Sequence, residues 1–298
     1  MGQKDISQKA LESYNDVFAD IMNGIIFKGK KTVKEQDLED VSPVSAFGKD
    51  SKLHQQERDV SKIWKENNIR IAFIGIENQT KPDKYMPLRV FAYDGASYKR
   101  QLVDIGKANR NKTKAADVKL YPVITLIIYF GEKPWNTSRS LLDSVKVKPE
   151  LRAFVNDYRP NLVEVTGLSR DEIKLFKSDF RSLIDVIRKQ IDPDYEIENR
   201  EIDHPQEFLY AASAFMNDPK VLEAYNYNEI EEGEPLTMKK FSEIMEEEGR
   251  IKGKTEGQME LLANLIKDGT LTLKQAAEKM CMTVTKFKAT AKKLGICL

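Results

Sequence analysis

Cysteine is almost absent from this chain. Cys281 and Cys297 are the only two, too few for a disulfide framework or a cysteine-based zinc site, and this points to a reducing compartment, the cytoplasm. His54 and His204 stand alone and read as surface or packing residues rather than metal ligands. No apolar run approaches the ~20 residues that a membrane-spanning helix needs, so no membrane partner is expected. The opening MGQKDISQKALESYNDVF has no apolar signal core, so a non-secreted protein is expected. No glycine-rich phosphate loop lies between a strand and a helix, and no serine nucleophile elbow occurs. Charge of either sign is not in excess: the net value of +1 excludes a wholly basic chromatin-type protein but leaves room for local asymmetry. What remains, 41% hydrophobic and 32% charged residues over 298 positions, suits a soluble globular chain of two domains or one large domain with an appendage.

The most informative stretch runs from Gln56 to Arg89, QERDVSKIWKENNIRIAFIGIENQTKPDKYMPLR. Asp59 to Trp64 reads as one arm of a hairpin and Ile69 to Gln79 as the other. The turn at Glu66-Asn67-Asn68 is formed by residues that tolerate left-handed backbone. The second arm is β-branched, aromatic and apolar on both faces as far as Gly75-Ile76, the pattern of a buried central strand. It then turns polar. Side chains alternate along a strand, so Glu77 and Gln79 share a face, and Asp59 on the neighbouring arm can aim a second carboxylate at the same place. Paired carboxylates at the polar end of a buried strand suit a hard cation such as Mg²⁺. A lone Glu-x-Gln is more often just a solvated strand end, so these residues need their context.

That context is an acid on one strand followed by Glu-x-Lys, or a variant, on the next: the PD-(D/E)XK nuclease arrangement. The run from Glu57-Arg58-Asp59 through Ile76-Glu77-Asn78-Gln79 to Met86-Pro87-Leu88-Arg89 resembles the Rpn family, the recombination-promoting nucleases of bacteria. The tail of a later strand, Tyr129-Phe130-Gly131-Glu132-Lys133-Pro134-Trp135, resembles the same family, with Trp135 read as a packing residue. The resemblance implies an α/β, restriction-endonuclease-like core with a mixed central sheet flanked by helices. It implies metal-dependent hydrolysis of DNA phosphodiesters, tied to recombination or mobile elements. Asp59 and Glu77 would hold Mg²⁺ or Mn²⁺, with the backbone carbonyl of Asn78 as a further ligand. Most relatives carry lysine two positions after the acid; here that position is Gln79, which hydrogen-bonds but has no charge and is no base. Lys81, or Lys99 on the next helix, is the expected source of the missing cation. Asp16, within Asn15-Asp16-Val17-Phe18-Ala19-Asp20-Ile21, is the expected acid of the opening helix.

Around this stretch, Ile6 to Ile26 reads as one amphipathic helix, Lys84 to Val103 as a second and Leu120 to Phe130 as a buried strand. Residues 27–52 are Lys-rich and irregular, with Val33, Leu38 and Val41 as core candidates. Lys99 to Lys119 is strongly basic. Lys99, Arg100, Lys107, Arg110, Lys112 and Lys114 suit a DNA backbone, or else a solvated loop. Further on, Leu175 to Ile191 is amphipathic, and Phe208 to Met216 adds another helix.

Residues 1–227 are therefore expected to form the catalytic domain, 228–235 an acidic linker and 236–298 a helical tail. In that tail Gly249, Gly253 and Gly257 recur every four residues along a long charged helix, which predicts close packing against a partner or fraying. Its end, Thr272 to Gly295, resembles a small helix-turn-helix whose Lys286, Lys288, Lys292 and Lys293 would meet phosphates. DNA is the expected partner, with self-association through the C-terminal helices. Two other readings stay open at this level: a catalytically weak DNA-binding relative, and a self-associating regulatory protein.

Overall fold

The structure, a computed structural model, describes residues 9–41, 44–47, 54–57, 59–67, 69–109, 119–218, 221–222 and 235–298. It divides into two compact units, residues 1–222 and 223–298.

The first unit is built on a five-stranded mixed sheet of order β1-β4-β5-β6-β7. The hairpin expected from sequence is its centre: β4 (Val60–Glu66) pairs antiparallel with β5 (Ile69–Gln79). Asn67 takes the left-handed conformation in the turn, with φ of 49°. On one side, β1 (Leu38–Asp40) adds antiparallel to β4. On the other, β6 (Val123–Tyr129) and β7 (Asn161–Glu164) continue parallel to β5. A parallel neighbour needs a crossover, and the long helix α2 (Met86–Asn109) supplies it between β5 and β6. A separate hairpin joins β2 (Val44–Phe47) to β3 (His54–Glu57).

Alternation divides the sheet into two apolar faces. Val60, Ile74, Ile76, Leu126 and Ile128 point to one, where α1 (Asn15–Ile25) and α5 (Asp179–Ile191) cover them with Phe18, Ile21, Phe180 and Ile184. Ile127 and Tyr129 point to the other, where Met86 and Val90 of α2 meet them beside Trp135, buried as expected. Helix α1 approaches the loop before α5 so closely that a Cβ at Gly24 would lie 2.4 Å from the Phe176 ring. Short helices α3 (Leu141–Ser144) and α4 (Arg170–Ile173) and the longer α6 (Pro205–Met216) complete this unit among the described residues.

One expectation is corrected here. The opening helix is not continuous. Residues 9–12 form a helical turn, the chain breaks at Ser13-Tyr14, and α1 starts afresh with Tyr14 as an extended N-cap at φ −66°, ψ 136°. Ser13 is the local cause, since its hydroxyl donates back to the Ala10 carbonyl at 2.6 Å and competes with continuation. A buried lysine holds the break in place. Lys62 of β4 is fully buried, donates from Nζ to the Ser13 carbonyl at 2.7 Å, and is paired with Asp40.

The second unit contains α7 (Met238–Lys267), α8 (Leu273–Lys279) and α9 (Val284–Lys293). Its core joins Met259 and Leu262 of α7 to Ala276, Ala277, Phe287 and Ala291 of the helical hairpin. Thr272 and Gln275 form a capping box at the start of α8, Cys281 takes φ of 51° in the turn, and Thr283 caps α9. Among the described residues, no helix is long and apolar enough to cross a membrane.

Candidate active site

Two hydrogen bonds hold Asp59 at the polar end of β5, the segment that carries Glu77. The ladder ends with Val60 opposite Ile76, and the Asp59 N–H still donates to the Ile76 carbonyl at 3.0 Å, so Asp59 lies just past the end of β4, beside residues 76–78 of β5. Asp59 Oδ2 accepts the Asn78 backbone N–H at 2.7 Å, and Oδ1 pairs with Lys9 at 2.7 Å. Glu77, almost fully buried, accepts Arg89 Nη2 at 2.6 Å on Oε1. Gln79 lies on the same face, its Nε2 3.5 Å from that oxygen, a long contact that orients rather than binds. Tyr93, one turn beyond Arg89 on α2, lies beneath both acids. Burial pushes its phenol up, and the charges of Glu77 and Asp59 add to the shift.

Asn78 points the other way, toward residues 9–12. Its side-chain amide donates to Glu12 Oε2 at 2.6 Å. Glu12 is buried, and that burial pushes its carboxyl up to about 8; the Asn78 bond opposes the shift and the Asp59 charge adds to it. Glu12 Oε1 and Asn78 Oδ1 are both buried with no hydrogen-bond partner among the described residues. These are one carboxyl and one amide oxygen, both of the hard-donor type, on the face of β5 opposite Glu77 and Gln79. Among the described residues, no three His, Cys, Asp or Glu side chains gather closely enough to hold a metal by themselves. Lys9 and Arg89 instead neutralise the two strand-end acids separately.

The acid of the N-terminal segment that bonds to β5 is thus Glu12, whereas Asp16, expected from the sequence, bonds elsewhere. Asp16 accepts His204 Nε2 at 2.9 and 3.1 Å, and lines a polar cleft with Asp20, Lys177 and Asp203 that includes none of Asp59, Glu77 or Gln79. His204 is therefore not isolated; its ring also stacks on Tyr14, centroids 3.7 Å apart. The helix break is the physical reason. An unbroken helix would have put both acids one turn apart on a single face, whereas the new start at Tyr14 gives Glu12 and Asp16 different directions.

The remaining expected residues are dispersed. Lys81 is exposed in the bend after β5. Lys99, Arg100 and Lys107 are exposed on α2, and Arg100 lines a cavity with Arg70, Glu39 and Asp104. Lys99 is ten residues beyond Arg89, roughly 15 Å along the helix. Arg110, Lys112 and Lys114 lie outside the described residues, as does most of the expected 228–235 linker. Lys286, Lys288, Lys292 and Lys293 are all exposed on α9 of the second unit. Sequence reasoning passed over Lys9, Glu12, Arg89 and Tyr93. Only Arg89 carried a signal, its place one turn into the helix that follows the site-bearing strand.

With this geometry in hand, comparison with known proteins finds a match over residues 30–203, more than half of the chain, to the family described as "Putative transposase, YhgA-like". No curated protein and no solved structure gives a match.

Proposed function

The chain belongs to the YhgA-like transposase family, the Rpn-type group that its sequence resembles, which ties it to mobile elements; from that premise we propose that it is a metal-dependent DNA endonuclease with a PD-(D/E)XK core. The observation that carries this reading is the placement of Asp59 beside the strand end that bears Glu77, its carboxylate accepting the Asn78 N–H at 2.7 Å, with Glu77 and Gln79 on one face of β5. Asp59 and Glu77 would hold Mg²⁺ or Mn²⁺, with the backbone carbonyl of Asn78 on β5 as a further oxygen ligand. When bound, the ion would polarise the phosphoryl oxygen and lower the pKa of water.

The protein's own residues supply the rest. Asn78 fixes both neighbouring carboxylates, Asp59 through its backbone N–H and Glu12 through its amide. Gln79 can orient a water by donating and accepting hydrogen bonds, but it cannot take its proton. Exposed lysines and arginines on α2 and α9 suit the DNA backbone, where each phosphate neutralised releases counterions.

The test is cleavage of supercoiled plasmid with and without Mg²⁺. Wild type is expected to nick or linearise it only with the metal, and Asp59→Ala and Glu77→Ala to lose that activity while keeping the fold. Metal-dependent cleavage by Asp59→Ala at the wild-type rate would end this reading. DNA binding with no cleavage by wild type would instead favour the DNA-binding relative that lacks catalysis.

A further inference from the structure

The nuclease reading leaves a gap: Gln79 stands where a lysine would place positive charge against the reacting phosphate. We propose that Arg89 fills this role, so that the cation of the site comes from helix α2 rather than from strand β5. The inference rests on the nuclease reading above and adds a catalytic residue to it.

The guanidinium is delivered to the right place. Arg89 Nη2 lies 2.6 Å from Glu77 Oε1, the same oxygen that Gln79 Nε2 approaches at 3.5 Å. Glu77 is 4% exposed and Arg89 41%, so the arginine leads from the buried acid outward to solvent, where a phosphodiester can reach it. It is also held in orientation. Tyr93 accepts from Nε at 3.3 Å and from Nη2 at 3.1 Å, and Asp83 accepts from Nη1 at 3.1 Å. Asp83 is itself fixed at the entrance to α2, where its other oxygen accepts the Tyr85 N–H at 2.8 Å. A guanidinium anchored by several groups presents its planar fork to phosphate oxygens with little reorganisation.

Other cations are less well placed. Lys62 is fully buried and committed to Ser13 and Asp40. Lys81 is exposed in the bend, and Lys99 lies roughly 15 Å further along α2. Lys9 is paired with Asp59 at 2.7 Å and its charge also acts on Glu12, whereas Arg89 meets the Glu77 oxygen that Gln79 approaches.

The experiment compares plasmid cleavage with Mg²⁺, at saturating DNA, by wild type, Arg89→Ala, Arg89→Lys and the double variant Gln79→Lys/Arg89→Ala. Arg89→Ala is expected to be slower by about 10²–10³, the usual loss for a preorganised donor at developing charge. Its DNA affinity should stay within a few-fold of wild type. Added guanidinium ion at millimolar concentration should restore part of that rate. Returning a cation to the strand should raise the double variant at least about tenfold above Arg89→Ala. These rescues separate a catalytic charge from a strut that merely supports Glu77, which neither guanidinium nor a lysine at position 79 would replace. Should Arg89→Ala misfold, Arg89→Lys decides: a folded variant that binds DNA is expected to retain intermediate activity. Arg89→Ala or Arg89→Lys at the full wild-type rate, or a slow Arg89→Ala that neither rescue improves, overturns the proposal. An inactive wild type overturns the nuclease reading and this proposal with it, whereas an active wild type with an indifferent Arg89→Ala overturns this proposal alone.

Discussion

Glu12 and Gln79 each set a single-residue problem that the site must solve. A buried carboxyl titrating at about 8, against 4.5 for an ordinary glutamate, holds its proton in the folded state across a range where the unfolded chain has lost it. The folded state binds more protons there, so stability falls as pH rises from the ordinary value toward about 8. The metal-free protein is expected to show that decline in urea-unfolding midpoints between about pH 5 and pH 8. Glu12→Gln, which cannot ionise, should flatten it; parallel curves for the two proteins would show that the proton on Glu12 is not what changes. At Gln79 the expected contribution is positional. Gln79→Ala should slow cleavage by roughly 10²–10³ without abolishing it. An Ala variant as fast as an active wild type would remove this side chain from the chemistry.

At the scale of elements, β5 and α2 together form the working edge: the strand presents Glu77 and Gln79, and the helix returns Arg89 and Tyr93 beneath them. The helix break at Ser13-Tyr14 does the same for the other face by turning Glu12 toward Asn78. In the second unit, glycine repeats along α7 without any packing reason within the described residues. A Cβ built at Gly249, Gly253 or Gly257 meets nothing within 4 Å. Interior glycine costs a helix about 1 kcal/mol relative to alanine, so each Gly→Ala change should stabilise α7 by about that amount. Thermal unfolding of the three single variants checks it. A loss of stability would instead show that a partner, such as a second copy, packs closely against this stripe.

At the scale of the whole molecule, the chain divides near residue 222 into a sheet-based unit and a helical one, each with its own core. The proposed active site lies wholly in the first. A protein ending at Leu222 is therefore expected to fold and to keep Mg²⁺-dependent cleavage. Its DNA binding should be weaker and less salt-dependent, because Lys286, Lys288, Lys292 and Lys293 leave with the second unit. For every phosphate that is no longer neutralised, the slope of log affinity against log salt becomes shallower by roughly 0.9. A truncated protein that fails to fold would show that the helical unit completes the core of the first.

The local pattern of the sequence determined most of the elements. A β-branched apolar run and the Asn turn defined the β4–β5 hairpin, a second apolar run defined β6, and helical spacing defined α2, α5 and α7, because these signals arise between residues close in the chain. The period-two geometry of a strand put Glu77 and Gln79 on one face, and the motif put Asp59 beside them. Tertiary structure alone decided which cations and which further acid join that trio. Lys9, Glu12, Arg89 and Tyr93 reach the site through a helix break, a buried lysine bonded to Ser13 and a crossover helix packed across the sheet. Those directions follow from interactions between residues many positions apart. Asp16 is the natural choice only in a continuous opening helix, and the turn at Ser13 gives it to His204 instead.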